Sequence, residues 1–160
     1  MKLSYDIGDI FELAEQIEKN GAAFYLKAAN IMSSGWDRNI LLELAAAEVK
    51  HQKIFTKMRK DLALVQRSAA ASDNIVREYL KAVAGKYVFH NTDALAASLR
   101  LQESMQSLIQ LAITKEKDSI ILYVGLSEAL KKPVDKKKVR HILRQEQKHL
   151  STLVETIELM

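Results

Sequence analysis

The sequence predicts an all-α protein. Helix breakers are rare, with one proline and five glycines in 160 residues, while Ala, Leu, Lys, Glu and Gln abound. Apolar residues recur three and four positions apart in four long segments, which is the spacing of an amphipathic helix. The length and the 48% of hydrophobic residues suffice for one domain with a sizeable core. We therefore expect one helical domain over residues 1–160.

Each long helix has its own sequence signals. Gly35 suits a left-handed cap after the first helix, and Pro133 lies just before the first turn of the fourth. Trp36 is expected to pack at the hairpin end. The four helices are predicted over about residues 7–32, 37–66, 105–130 and 134–159.

The joins between these helices predict their arrangement. The joins within the first pair and within the second pair are short, and short joins imply antiparallel neighbours. We therefore expect one hairpin over about residues 7–66 and another over about 105–159. The connection at 67–104 is too long for a structureless loop in a compact domain, so it should hold short helices near 74–84 and 92–101.

The composition excludes several classes of site. Without cysteine, the chain has no disulfide, thiolate catalyst, iron–sulfur cluster or cysteine-bound zinc, which is compatible with a reducing cytoplasm. The N-terminus lacks the apolar run of a secretory signal, and no apolar stretch is long enough to span a membrane. We expect a cytoplasmic protein.

The net charge is +4, and its excess lies in the stretch KKPVDKKKVR at residues 131–140. One interpretation is a solvated loop between helices. The other is a docking patch for an acidic partner. The patch is short, has no interleaved aromatic residues and matches no nucleic-acid-binding signature, so we expect no nucleic-acid partner.

Two halves of the sequence repeat each other. EKNGAAFY begins at Glu18 and EKDSIILY begins at Glu116. Thirty residues after each of these glutamates comes a Glu-x-x-His motif, and the offset between the halves is 98 throughout. From composition alone such a set arises with a probability of order 10⁻⁴. The repeated residues are Glu18, Glu48, His51, Glu116, Glu146 and His149.

Helical spacing puts each Glu-x-x-His pair on one helix face, beside apolar neighbours. Surface glutamates and histidines on charged helices are the alternative interpretation. Four carboxylates in a helical core would repel one another and would lose their hydration. Two divalent cations would balance them, and two neutral imidazoles would complete a ligand set that suits iron or manganese and tolerates zinc.

The remaining candidates are weaker. Tyr25 and Tyr123 lie seven residues after a repeated glutamate, where they could hydrogen-bond the ligand carboxylates or pack in the core. His90 and His141 have no matched carboxylate and are interpreted as ordinary residues.

With these motifs the chain resembles the ferritin-like domain of the rubrerythrin family. The resemblance implies a four-helix bundle with a long crossover between its second and third helices, two bound irons, reduction of hydrogen peroxide or dioxygen, and a homodimer. It also implies the ligand roles: Glu48 and Glu146 bridge the metals, Glu18 and Glu116 are terminal or flexible ligands, and His51 and His149 cap one metal each.

The sequence departs from this family pattern at two points. Rubrerythrins with full peroxidase equipment carry a further glutamate three residues after the third-helix ligand. Ser119 stands there, and Gly21 stands at the repeat-related position. Many members also carry a rubredoxin domain with four cysteines, which this chain lacks. Any redox cycle would then need an external donor, such as a rubredoxin-like protein.

Three functions follow as hypotheses. The first is a di-iron oxidoreductase for peroxide or dioxygen, with a role in oxidative stress. The second is non-catalytic metal binding, either in iron handling or as a zinc- or manganese-loaded site. The third, a metal-free helical interaction module, is opposed by the repeated ligand set.

Overall fold

A computed structural model describes residues 6–31, 35–64, 74–84 and 105–160 of the protein. This part of the chain is helical and contains five helices, with no strand. The long helices begin and end within two residues of the predicted bounds. The five helices are α1 (Ile7–Ile31), α2 (Trp36–Leu64), the short α3 (Asn74–Ala84), α4 (Met105–Ala129) and α5 (Pro133–Glu158).

The four long helices form two hairpins. Helix α1 packs along α2, and α4 packs along α5. The two hairpins then meet through smaller contacts of α1 with α4 and of α2 with α5. This is the predicted bundle of two hairpins. Of the crossover, α3 lies where the first short helix was predicted and packs mainly on α4. The second, near residues 92–101, falls outside the described residues.

Aromatic side chains form part of the core at the contact between the hairpins. Phe55 of α2 lies with its ring centroid 5.1 Å from that of Tyr123 of α4 and 6.4 Å from that of Phe11 of α1. All three are buried. Residues of both hairpins therefore share one apolar cluster, which surrounds the polar residues described below.

The helix ends follow the sequence signals. Gly35 has a φ of 115°, a conformation that glycine adopts without steric cost, and its carbonyl accepts a hydrogen bond from the Asn39 amide of α2. Pro133 occupies the first turn of α5, where its missing N–H costs nothing. The side chain of Trp36 lies outside the described part of the structure.

The interpretation of residues 131–140 as a loop is wrong for most of this stretch, and the predicted fourth helix from about residue 134 is right. Helix α5 already begins at Pro133, so most of the lysine-rich stretch forms its first two turns. The cause is Pro133 itself, because its fixed φ favours the start of a helix directly after Lys132. Within the described residues, none of the helices is long and apolar enough to cross a membrane.

Gly125 permits the close packing of α3 on α4. A Cβ at residue 125 would lie 2.3 Å from a ring carbon of Tyr79, whose hydroxyl donates a hydrogen bond to the Ile121 carbonyl at 2.6 Å. We expect Gly125→Ala to lower the free energy of unfolding by about 1–3 kcal/mol through overpacking. Chemical denaturation measures this.

The matched background is Tyr79→Ala, which removes the obstructing ring. There Gly125→Ala should be neutral or stabilising, because alanine is the better helix former by about 1 kcal/mol. An equal loss of stability in both backgrounds would show that the ring is not the obstacle.

Candidate metal centre

The six repeated residues come together in the centre of the bundle. Each of the four long helices contributes: Glu18 from α1, Glu48 and His51 from α2, Glu116 from α4, and Glu146 and His149 from α5. Their side chains form two overlapping groups, within each of which the possible ligand atoms all lie within 4.8 Å of one another.

The two groups share Glu48 and Glu146. We call the first the Glu18 position, because Glu18 and His51 join the shared pair there. We call the second the Glu116 position, because Glu116 and His149 complete it. The internal repeat of the sequence thus appears as two neighbouring positions of matched composition.

The carboxylates are deeply buried. All four glutamates and His51 are fully buried, while the His149 side chain keeps 13% of its exposure. One oxygen of each carboxylate has no hydrogen-bond partner in acceptable geometry; these are Glu18 Oε2, Glu48 Oε1, Glu116 Oε2 and Glu146 Oε1. Buried polar atoms rarely stay without a partner. Convergent unpartnered oxygens beside imidazole nitrogens have the chemistry of a cation site, so these residues fit a pair of divalent ions.

The two tyrosines hold the outer glutamates across the hairpins. Tyr25 of α1 donates a hydrogen bond to Glu116 of α4, and Tyr123 of α4 donates one to Glu18 of α1. Each tyrosine therefore contacts the glutamate of the other hairpin and not the one seven residues before it. Both are also buried in the core, so hydrogen bonding and packing occur together.

A glutamine positions one of the imidazoles. The Nε2 atom of His51 lies 2.6 Å from Oε1 of Gln145 on the opposite hairpin, and its Nδ1 lies 2.7 Å from Oε1 of Glu146. In the neutral ring that a metal requires, a donated Nε2–H bond to Gln145 makes Nδ1 the unprotonated nitrogen facing the carboxylates. Sequence reasoning missed Gln145. Its place directly before a ligand motif was the available signal.

Lys115 is the second residue that sequence reasoning missed. Its side chain is fully buried, and its Nζ lies 2.5 Å from Glu48 Oε2 and 3.5 Å from Glu116 Oε1. The ammonium also lies 5.3 Å from the centroid of the Tyr25 ring, within reach of a cation–π interaction. The available signal was the repeat, because residue 17 at the corresponding place is an isoleucine.

The two positions that depart from the family pattern lie beside this centre. Ser119 is buried, and its Oγ has no hydrogen-bond partner. A Cβ on Gly21 would lie 2.7 Å from Glu48 Oε2 and 2.8 Å from the Nζ of Lys115. The missing side chain of Gly21 is thus what leaves room for the lysine.

The remaining histidines are not part of the centre. His141 lies exposed on α5, as its interpretation as an ordinary residue predicts. His90 falls outside the described residues.

The buried charges shift one another's protonation. Burial, with the charges of Glu146 and Glu18, raises the pKa of Glu48 well above its usual range. Burial also raises the pKa of Glu116. Burial alone would raise the pKa of Glu146, but contacts with His149 and His51 hold it well below its usual range.

The negative charge of the glutamates also raises the pKa values of the two basic groups, His51 and Lys115. Burial opposes the charge of His51, but Glu146 and Glu18 outweigh it and raise its pKa to about 10. Burial also opposes the charge of Lys115, and Glu116 and Glu48 nevertheless raise its pKa above its usual range. The ligands Glu48, Glu116 and His51 of the metal-free centre therefore hold protons that a cation must displace.

These shifts predict a pH dependence of stability. His51 has a pKa of about 10 in the fold against an ordinary 6.5, so between these values the folded protein binds more protons than the unfolded chain. Its stabilising effect is then fully present below pH 6.5 and is lost as the pH rises towards 10. The raised pKa values of Glu48 and Glu116 act with the same sign.

We therefore expect the melting temperature of chelator-treated protein to fall between about pH 6.5 and 9. A bound divalent ion replaces the protons, so the melting temperature of metal-loaded protein should fall less over this pH range. Differential scanning calorimetry with and without Mn²⁺ measures both. A metal-free protein that is equally stable or more stable at pH 9 would contradict the assignment.

Comparison with known proteins agrees with this geometry. A solved structure of a ferritin-like diiron-carboxylate protein from Thermotoga maritima superposes with a TM-score of 0.69 and 25% sequence identity, covering 97% of this chain and 96% of that one. No curated protein matches the chain. The family model of rubrerythrin matches residues 9–157. The chain therefore belongs to the rubrerythrin family and has a ferritin-like fold.

Proposed function

We propose that this protein is a di-iron oxidoreductase that reduces hydrogen peroxide or dioxygen with electrons from an external donor. The observation that carries the proposal is the pair of overlapping Glu/His groups in the core, each with buried and unpartnered carboxylate oxygens. Membership of the rubrerythrin family supports iron as the metal.

The ligand roles follow from which groups the residues join. Glu48 and Glu146 belong to both groups, so two bound ions would share them as ligands. Glu18 with His51, and Glu116 with His149, would each complete one ion's ligands. The tyrosines orient the outer glutamates by hydrogen bonds, and Gln145 fixes the ring of His51.

A pair of ferrous ions held by these residues would supply two electrons, which with two protons would reduce the O–O bond of hydrogen peroxide to two waters. A one-electron donor protein would have to return those electrons in two steps. The chain's own contribution is to keep the carboxylates apart from bulk water and to hold their orientation before the substrate arrives.

Metal binding without turnover is the second candidate. Ser119 and Gly21 favour it, because neither supplies the further carboxylate of peroxidase-equipped relatives. In that case iron, zinc or manganese would be held without consumption of peroxide. A homodimer, a cytoplasmic location and a role in oxidative stress remain predictions.

Loading with Fe²⁺ under anaerobic conditions, followed by peroxide, separates the two candidates. We expect two ions for each chain by elemental analysis, and a rapid ferric absorption that forms at least about tenfold faster than with free Fe²⁺. Glu48→Ala and His149→Ala should each abolish loading of the pair, because they remove a ligand that the centre cannot replace. Lys148→Ala, one residue away and exposed, is the matched control.

Loaded protein that consumes peroxide no faster than free iron would refute the oxidoreductase and leave the metal-binding protein. Full metal occupancy in both ligand variants would instead refute the site.

We further propose that the external electron donor docks at the lysine-rich start of α5. A groove of about 340 Å³ lies there between α2 and α5, with apolar and basic residues around it. Positive charge at a helix N-terminus opposes the helix dipole, so the dipole of α5 does not favour these lysines. The groove is lined by Ile54, Lys57, Val134, Lys137, Lys138 and His141.

A partner with an acidic surface around its redox centre fits this groove. Exposed charges act mainly on the rate of association, which salt screens. We expect Lys137→Glu to lower the second-order rate of reduction by an acidic rubredoxin by about tenfold at low salt, with the difference vanishing at high salt. Stopped-flow absorbance of the donor measures the rate.

The matched control is Lys27→Glu, an exposed lysine near the opposite end of the bundle. It changes the net charge equally and should leave the rate close to that of the unaltered protein. Equal effects of the two variants would mean that net charge, and not this groove, steers the donor.

A further inference from the structure

Lys115 breaks the symmetry of the repeated centre. Its counterpart in the first half of the repeat is Ile17, which is also buried but carries no charge. One buried ammonium group therefore serves two positions that are otherwise matched in composition.

The ammonium lies nearer to one of the two positions. It contacts Glu48 at 2.5 Å and Glu116 at 3.5 Å, and both carboxylates belong to the Glu116 position. Of the Glu18 position it contacts only the shared Glu48. Two of the three carboxylates of the Glu116 position are thus already bound to a cation that the protein itself provides.

The histidines differ in the same direction. His51 of the Glu18 position is fully buried and is held by Gln145. The repeat relates Gln145 to Ala47, and the methyl group of Ala47 cannot accept a hydrogen bond from His149. His149 is also partly exposed, with its Nδ1 at 3.2 Å from Glu146 and 3.7 Å from Glu48. The Glu116 position is therefore the less preorganised of the two.

The charge of Lys115 affects how strongly the centre binds a second divalent ion. Four carboxylates are neutralised by two divalent ions, and the ammonium of Lys115 then leaves one positive charge in excess in a buried centre. A first ion meets a negative centre, while a second ion must enter beside both the first ion and the lysine.

We propose that Lys115 makes the Glu116 position the weaker of the two, so that the protein holds one divalent ion tightly and a second one weakly. This inference rests on the proposed metal centre but not on any turnover. Lys115 is then a residue that sets metal stoichiometry, and at low metal concentration the protein carries a single ion at the Glu18 position.

Titration with Mn²⁺ tests this without redox chemistry. Electron paramagnetic resonance counts the free ion, and calorimetry gives both affinities. For the unaltered protein we expect two steps that differ by about tenfold or more. Glu116→Gln should retain the tight step, whereas Glu18→Gln should lose it, which assigns the two steps to their positions.

Lys115→Met keeps the length and removes the charge, and we expect it to tighten the second step by about tenfold or more. Lys115→Gln, which keeps a hydrogen-bond donor, should act in the same direction if the charge is responsible. Lys117→Met removes an exposed lysine from the same helix and should change neither step.

Two steps of equal affinity in the unaltered protein would overturn the proposal, whether or not the variants fold. So would a second step that both Lys115 variants leave unchanged, or that Lys117→Met tightens as much. Absence of any binding would refute the metal centre itself. Two unequal steps in a protein that does not consume peroxide would sustain this inference and refute the oxidoreductase.

Discussion

Four carboxylates buried between four helices are the constraint on which the rest of this structure depends. In a core of apolar residues, a charged carboxylate loses its hydration, and its neighbours of like charge add repulsion. The surrounding residues oppose this cost: tyrosine hydroxyls donate to the outer glutamates, and His51 and Lys115 lie within ion-pair distance of the others. One oxygen of each carboxylate still lacks a hydrogen bond of acceptable geometry, and these oxygens, with the imidazole nitrogens beside them, define the place for a cation.

The same residues connect the two halves of the fold. Within each hairpin the helices pack along their length, whereas the contacts between hairpins are smaller. The tyrosine–glutamate bonds cross between hairpins, as do the contacts of His51 with Gln145 and Glu146. Ions bound by ligands from all four helices would add to this connection, since binding to the folded state alone stabilises it.

The centre is a repeat that is only partly symmetric. The ligands, the crossed tyrosines and the shared glutamates follow the repeat, but the places around them do not. Lys115 of the second half corresponds to Ile17 of the first, and Gln145 of the second half corresponds to Ala47 of the first. Symmetry of the ligands supports two ions of one kind, while asymmetry around them allows the two positions to differ in affinity. Chemistry that needs both ions would then depend on metal supply.

The sequence by itself determined the helices and the six converging residues, because helical period, rare breakers and a constant offset are local or repeated signals. Only the tertiary structure decided which glutamate each tyrosine contacts, since that depends on how the hairpins face each other. It also decided the place of Lys115. Successive helical residues point about 100° apart, so helical geometry alone directs a neighbour of Glu116 away from the ligand face. The gap at Gly21, on a helix far away in sequence, lets the long lysine side chain reach the carboxylates.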